Sequence, residues 1–197
     1  MQCIIDYMRL DHIAYRSKDR YKTAEFFQKC FGYKIGTEFD LKFEDGSTTD
    51  CLALVPPEVR HPETHLWGVD LVMEANWAGP GDVLDEIKCG YHAPPEIFVS
   101  DGAEGSIVGN WVAARGGVGG IHHIAYQVDD VEATMHSWKQ SGYAEFLSEK
   151  PMECPGLKQV FTKPSELTGV IYELIKRDGD GFCETNVKGL MESTKEL

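Results

Sequence analysis

Two histidines, His12 and His123, occur in the same tetrapeptide, HIAY, far apart in the chain. A neutral imidazole offers a lone pair to a divalent cation. A single strand histidine is more often a satisfied core residue, but two at matching positions of a repeat point to one shared ion. Glu173 is the next group of interest. In GVIYELIKR it stands between Tyr172 and Leu174, and an ionised carboxylate in an apolar strand is costly unless it is paired, hydrogen-bonded or bound to a cation. An ion pair with a Lys or Arg would also satisfy it; beside two histidines, ligation is the better reading. Glu96, in PPEIFVSD, falls in the corresponding last strand of the first copy. The expected ligand set is therefore His12, Glu96, His123 and Glu173, with a surface or edge-strand glutamate as the alternative for Glu96. Glu173 and Glu96 are also the expected proton carriers, with Asp50 on a middle strand as a further candidate.

The other histidines lack a repeat partner. His61 and His65 in HPETH have i, i+4 spacing, but Pro62 intervenes and no helical pattern surrounds them. His92 stands near Pro94, and His136 on a helix. His122 and His123 are neighbours on a strand, so their side chains are expected on opposite faces. Asp178 and Asp180 in RDGDG read as a solvated turn, since the rest of a calcium loop is missing.

These side chains are positioned by a duplication, which sets the fold. Aligning Leu10 with Ile121 matches His12 with His123, Ile13 with Ile124, Ala14 with Ala125, Tyr15 with Tyr126, Asp19 with Asp130 and Thr23 with Thr134. After a one-residue gap, Gly32 matches Gly142 and Tyr33 matches Tyr143. In each copy a short β-rich run leads to a capping Asp, either Asp19 or one of Asp129 and Asp130, with Asp129 and Glu132 resembling a capping box. Helical spacing follows in Ala24, Phe27, Phe31 and in Val131, Met135, Trp138. Gly32 and Gly142 close the helices. The extended segments are GYKIGTEFDLKF, TTDCLALV and EIFVSD in the first copy, then YAEFLSE, LKQVFT and GVIYELIKR in the second.

The unit is thus βαβββ, used twice. Residues 1–118 form the first module with an insertion at about 57–93, residues 119–177 the second, and residues 178–197 a tail. The insertion carries HLWGVDLVMEANW, a candidate strand, and DVLDEIKCG, a candidate short helix. A further helix is expected around SIVGNWVAARGG. RGGVGG reads as the join between modules, because no GK[ST] follows and the next element is a strand. In the tail, Val187, Leu190 and Met191 give a short helix an apolar stripe suited to covering the rest of the fold.

Composition narrows the partners. The chain has 197 residues, 42% hydrophobic and 26% charged, with a mean hydropathy of -0.30. A net charge of -13 argues against nucleic acid and anionic membrane surfaces, which need basic patches. No apolar run approaches the ~20 residues that span a bilayer, and the opening MQCIIDYMRL does not read as a signal peptide. Six scattered cysteines without a CxxC pair suit reduced thiols in a cytoplasmic protein. A small molecule is the expected partner, and a homodimer is left open.

LDHIAY, GGIHHIAYQVDD and GVIYEL together resemble the vicinal oxygen chelate superfamily, which includes glyoxalases, bleomycin resistance proteins and dioxygenases. The resemblance covers nearly the whole chain apart from the insertion. It implies an α+β fold of paired βαβββ modules curled into a cup-like, partly open mixed β-barrel. It also implies one divalent ion (Fe, Co, Ni, Mn or Zn) held by first-strand histidines and last-strand carboxylates, here His12, His123, Glu173 and Glu96. Two branches are similar. IVGNWVAARGGVGGIHHIAYQVDD and GVIYEL look like methylmalonyl-CoA epimerase. LKQVFTKP and YELIKRDGDGFCETNVKGLMES look like the last strands and tail helix of 4-hydroxyphenylpyruvate dioxygenase, with Cys183 in place of a glycine and Val187 in place of a phenylalanine. By that second resemblance Gln159, Phe182 and Asn186 line a substrate pocket.

Ligand number separates the chemistries. Four ligands leave about two octahedral positions, which suits a chelating 2-oxo acid, ketone or thioester whose enolate is stabilised, as in an epimerase, isomerase or glyoxalase-like lyase. Three leave about three, enough for a bidentate 2-oxo acid and O₂ in an iron(II) dioxygenase. With Glu96 counted, the sequence favours the enolate chemistry. The dioxygenase is the second reading, and a non-catalytic small-molecule binding or resistance protein the third.

Overall fold

In the structure, a computed structural model, residues 8–56, 95–177 and 182–197 are described. The elements run β1 (Arg9–Arg16), α1 (Arg20–Phe31), β2 (Lys34–Lys42), β3 (Thr48–Val55), β4 (Glu96–Asp101), α2 (Ile107–Ala114), β5 (Gly120–Gln127), α3 (Val131–Gln140), β6 (Met152–Cys154), β7 (Leu157–Phe161), β8 (Ile171–Arg177) and α4 (Glu184–Ser193). The chain divides into two compact units, residues 1–55 with 95–197, and residues 56–94. The expected strand HLWGVDLVMEANW, the expected helix DVLDEIKCG, and His61, His65 and His92 lie outside the described residues, as do Asp178 and Asp180.

One mixed sheet carries all eight strands, in the order β2-β3-β4-β1-β5-β8-β7-β6. Read outward from the centre, each half repeats the same plan, with β1 and β5 antiparallel at the middle and β4 and β8 parallel to them. Each half is βαβββ, so the sheet is the doubled, curled cup of a vicinal oxygen chelate fold.

The repeated residues do the same local work in both halves. Asp19 caps α1 by accepting from the Lys22 N–H at 3.0 Å, and Asp130 caps α3 by accepting from the Ala133 N–H at 2.9 Å. Thr23 and Thr134 each donate back to the cap carbonyl. The cap of α3 is thus Asp130, so the expected Asp129–Glu132 box is displaced by one residue. Gly32 ends α1 at φ 76°, the left-handed region that glycine enters without penalty. The segment YAEFLSE does not form a regular strand: it makes one bridge, Phe146 to Thr162, and the strand that pairs with β7 is the later β6.

Apolar clusters fix the helices on the sheet. Ala24 packs with Leu52, Leu54, Ile97 and Val99 under α1. Val131 and Met135 pack with Val160 and Leu174 under α3. The tail helix α4 engages both halves. Val187 and Met191 join Phe43, Cys51 and Phe98, while Leu190 joins Phe161 and Ile171. Cys183, the residue before α4, is disulfide-bonded to Cys154 on β6. That corrects the expectation of reduced thiols for this pair, which the fold brings together from segments remote in sequence; Cys30 and Cys51 are free. Among the described residues no helix is long and apolar enough to cross a membrane.

Candidate metal centre

His12 on β1, His123 on β5 and Glu173 on β8 meet at the floor of the cup, each buried. His12 Nε2 lies 3.2 Å from His123 Nε2 and 3.4 Å from Glu173 Oε2. His123 Nε2 is 3.1 Å from the same oxygen. Ligand atoms about 2.1 Å from one ion stand about 3.0 Å apart at right angles and about 3.4 Å apart in a tetrahedron. The three observed edges fall within that interval, so the donor set fits a single divalent ion.

The structure does not bring Glu96 to this cluster. The parallel pairings show why. His12 faces Glu96 and Ala14 faces Phe98 across β1 and β4, whereas His123 faces Ile171 and Ala125 faces Glu173 across β5 and β8. The position equivalent to Glu173 is therefore Phe98, and Glu96 stands one step along the same face. Its carboxylate accepts from Arg177 Nη2 at 2.9 Å. Asp50 is also elsewhere, paired with Arg20 at 3.0 Å in a group that includes Asp101.

Each of the three side chains is held by a neighbour. His12 Nδ1 donates to Asp11 Oδ1 at 2.7 Å, and Arg177 Nε in turn donates to Asp11 Oδ2 at 2.9 Å. His123 Nδ1 pairs with His122 Nδ1 at 2.9 Å. Glu173 Oε1 accepts from Gln159 Nε2 at 2.6 Å. Such partners fix the ring tautomer and orientation that ligation needs.

The contact between His122 and His123 departs from the expected alternation, and a β-bulge is the cause. Ala14 pairs with His123 and Tyr15 with Ile121, so His122 is an extra residue in β5. A second bulge lies between Leu10 and His12, with Asp11 as the extra residue. An extra residue interrupts the pleat and re-aims its side chain. Asp11 and His122 occupy the same place in the repeat, and each rests on the Nδ1 of the histidine that follows it. Sequence reasoning passed over Asp11 and placed His122 on the opposite face from His123, although the repeat that aligned the histidines also aligned the residues before them.

The electrostatics suit a cation. Burial alone would depress His12, but Glu173 and Asp11 outweigh it and carry its pKa up to about 9. Burial would raise Glu173, yet the two imidazoles hold it well below the usual carboxylate range. Burial keeps His123 below its ordinary value despite Glu173, and burial with nearby Arg16 pushes His122 far down. Without an ion, one proton on His12 balances Glu173; a cation would take its place.

Of the expected pocket residues, Gln159 and Phe182 line this point. Gln159 is 1% exposed with its Oε1 unpaired. The Phe182 ring meets His12 edge-on at 5.1 Å and Phe98 at 4.9 Å. Asn186 is buried on α4 with an unpaired amide nitrogen and does not line the pocket. His136 is exposed on α3. The cavity above the triad is lined by Phe98, Phe161, Phe182, Val187, Leu190 and Met191 among others, and measures about 30 Å³. That is room for about two water molecules.

A doubled βαβββ cup with a buried His–His–Glu cluster at its floor is the architecture of the vicinal oxygen chelate proteins. The chain belongs to the glyoxalase/bleomycin resistance protein/dioxygenase superfamily, whose family model matches residues 9–170. Among solved structures it is similar to a triple mutant of 4-hydroxymandelate synthase from Streptomyces coelicolor, at 18% identity and TM-score 0.66, over 95% of this chain and 53% of that one. It is also similar to a methylmalonyl-CoA epimerase, at 21% identity and TM-score 0.55, over 86% of this chain and 95% of that one. The methylmalonyl-CoA epimerase from Mycobacterium tuberculosis is comparable, at 17% identity and TM-score 0.55, over 90% and 94%. At these identities the likeness is one of fold. No curated protein matches the sequence.

Proposed function

We propose that the chain is a metal-dependent oxygenase, of the iron(II) type, acting on a 2-oxo acid. One observation carries this reading: three ligand atoms converge, and Phe98 occupies the place of a fourth. Three protein ligands on an octahedral ion leave about three positions, two for the carboxylate and keto oxygens of the substrate and one for O₂. A bound divalent ion would supply Lewis-acid polarisation of the keto group and, if iron, the redox step with O₂.

The protein's own residues hold and seclude. Asp11, His122 and Gln159 keep the three ligands aimed inward. Phe98, Phe161 and Phe182 surround the ligand atoms with apolar surface and exclude water. The α4 helix closes the cup, so a substrate enters with that helix displaced. Of the three carboxylates expected to carry a proton in enolate chemistry, only Glu173 stands in the cluster, while Glu96 is held by Arg177 and Asp50 by Arg20.

The test is anaerobic loading with Fe(II), addition of 2-oxo acids, and measurement of O₂ uptake and CO₂ release. Uptake that needs both the acid and the metal, and is lost in His12→Ala, supports the proposal. Inertness to O₂ with solvent deuterium entering the acid would instead establish enolate chemistry. Ligand binding that survives chelation, with no turnover, would identify a binding protein.

A further inference from the structure

The cup contains one more ionic group, which the metal centre does not use. Arg16 lies on β1 four residues after His12, on the same strand face as His12 and Ala14, and all three line the cavity. It is 2% exposed. Its guanidinium donates to Thr194 Oγ1 at 2.8 Å and lies 5.7 Å from the centre of the Trp111 ring. Neither contact carries negative charge. Among the described residues no carboxylate pairs with it, and the charge that shifts it is that of another cation, Arg115. Burial together with Arg115 lowers its pKa to about 9, so it stays charged at neutral pH.

A buried, fixed cation with no counter-ion among the described residues is unusual in a folded protein, because desolvation is offset only by a partner. A guanidinium in a pocket is also the group best matched to a carboxylate, through two parallel N–H donors. Charge counting leads to the same place. A divalent ion with Glu173 as its one anionic ligand keeps one net positive charge, and Arg16 adds a second. A simple 2-oxo acid brings one negative charge to this pocket; a 2-oxo acid with an acidic tail brings two.

We infer that Arg16 anchors a second anionic group on the substrate, so that the acid taken by this cup is a 2-oxo diacid. The keto-acid end faces the triad, and the distal carboxylate forms the buried pair that Arg16 lacks. The inference deepens the 2-oxo acid reading and rests on it.

Calorimetric titration of the Mn(II)-loaded protein with 2-oxo diacids of five, six and seven carbons, each beside the monoacid of equal length, tests the pairing without turnover. Losing one partner of a buried charge pair weakens binding by about 30-fold or more, and at least one diacid should bind better than its monoacid by that factor. Arg16→Met should bring the two acids together, and Arg16→Lys should restore part of the preference. Thr194→Val removes the hydroxyl contact to α4 and keeps the charge; it should keep the preference, which separates anion recognition from a purely structural clasp. Equal binding of all pairs by the wild type, or a preference unchanged in Arg16→Met, overturns the inference. Should no 2-oxo acid bind, the functional reading fails, and simple five- to seven-carbon dicarboxylates then decide about Arg16. Binding of one that is lost in Arg16→Met keeps the anion anchor, and no binding removes it.

Discussion

Metal uptake by this chain should strengthen steeply between pH 7 and pH 9. In the metal-free site Glu173 and Asp11 raise the pKa of His12 to about 9, so at pH 7 its Nε2 is protonated and the ion must displace that proton. The displacement costs two pH units at 1.36 kcal/mol each, about 2.7 kcal/mol. Apparent affinity should therefore rise about tenfold per pH unit, some 100-fold from pH 7 to the plateau above pH 9. His123, held below its ordinary pKa by burial, contributes no proton at pH 7. Competition against a chromophoric chelator gives the affinity, and calorimetry in buffers of different ionisation enthalpy should count about one proton released per ion at pH 7. The same group has a stability consequence with a definite sign. A pKa raised on folding stabilises below the unfolded value near 6.5, and that contribution is lost as pH rises through 9. The metal-free protein should lose up to about 3.4 kcal/mol over this window, measured by urea unfolding at successive pH values. An affinity that is flat from pH 7 to 9, with no proton released, would refute the reasoning, because His12 would then be neutral or not a ligand.

Asp11→Asn should weaken metal binding by about 10- to 100-fold with the fold intact by circular dichroism, as measured by equilibrium dialysis. Phe98→Glu places a carboxylate at the position equivalent to Glu173; it should hold the ion at least as tightly while suppressing O₂ uptake, read by oxygen electrode. Leu190→Ala empties a buried site against Phe161 and Ile171 and should cost about 2–5 kcal/mol of stability, measured by urea denaturation.

Much of the architecture was legible in the sequence because the repeat preserved it at residues with distinct physical duties. HIAY marked the two central strands, Asp19 and Asp130 marked the helix starts, and Gly32 marked a helix end. Glu173 announced itself as a charge in an apolar strand. Glu96 misled because residues 57–94 separate it from the rest of its module, and no repeated residue fixed the register of β4. A two-residue offset moves that carboxylate from the His–His–Glu cluster to Arg177. Strand alternation misplaced His122, since a bulge is a backbone event with no composition of its own. Arg16 was passed over because nothing in RLDHIAYRS shows that its charge is buried with no opposing one among the described residues; that needs the three-dimensional surroundings.

The paired bulges give the floor of the cup a pseudo-twofold form. The extra residue falls at the same place in both halves, so a neighbouring side chain rests on a matching imidazole from each side of the β1–β5 seam. Identical residues there would make a symmetric nest. With Asp11 against His122 and Phe98 against Glu173, the two halves instead turn different charges toward one point.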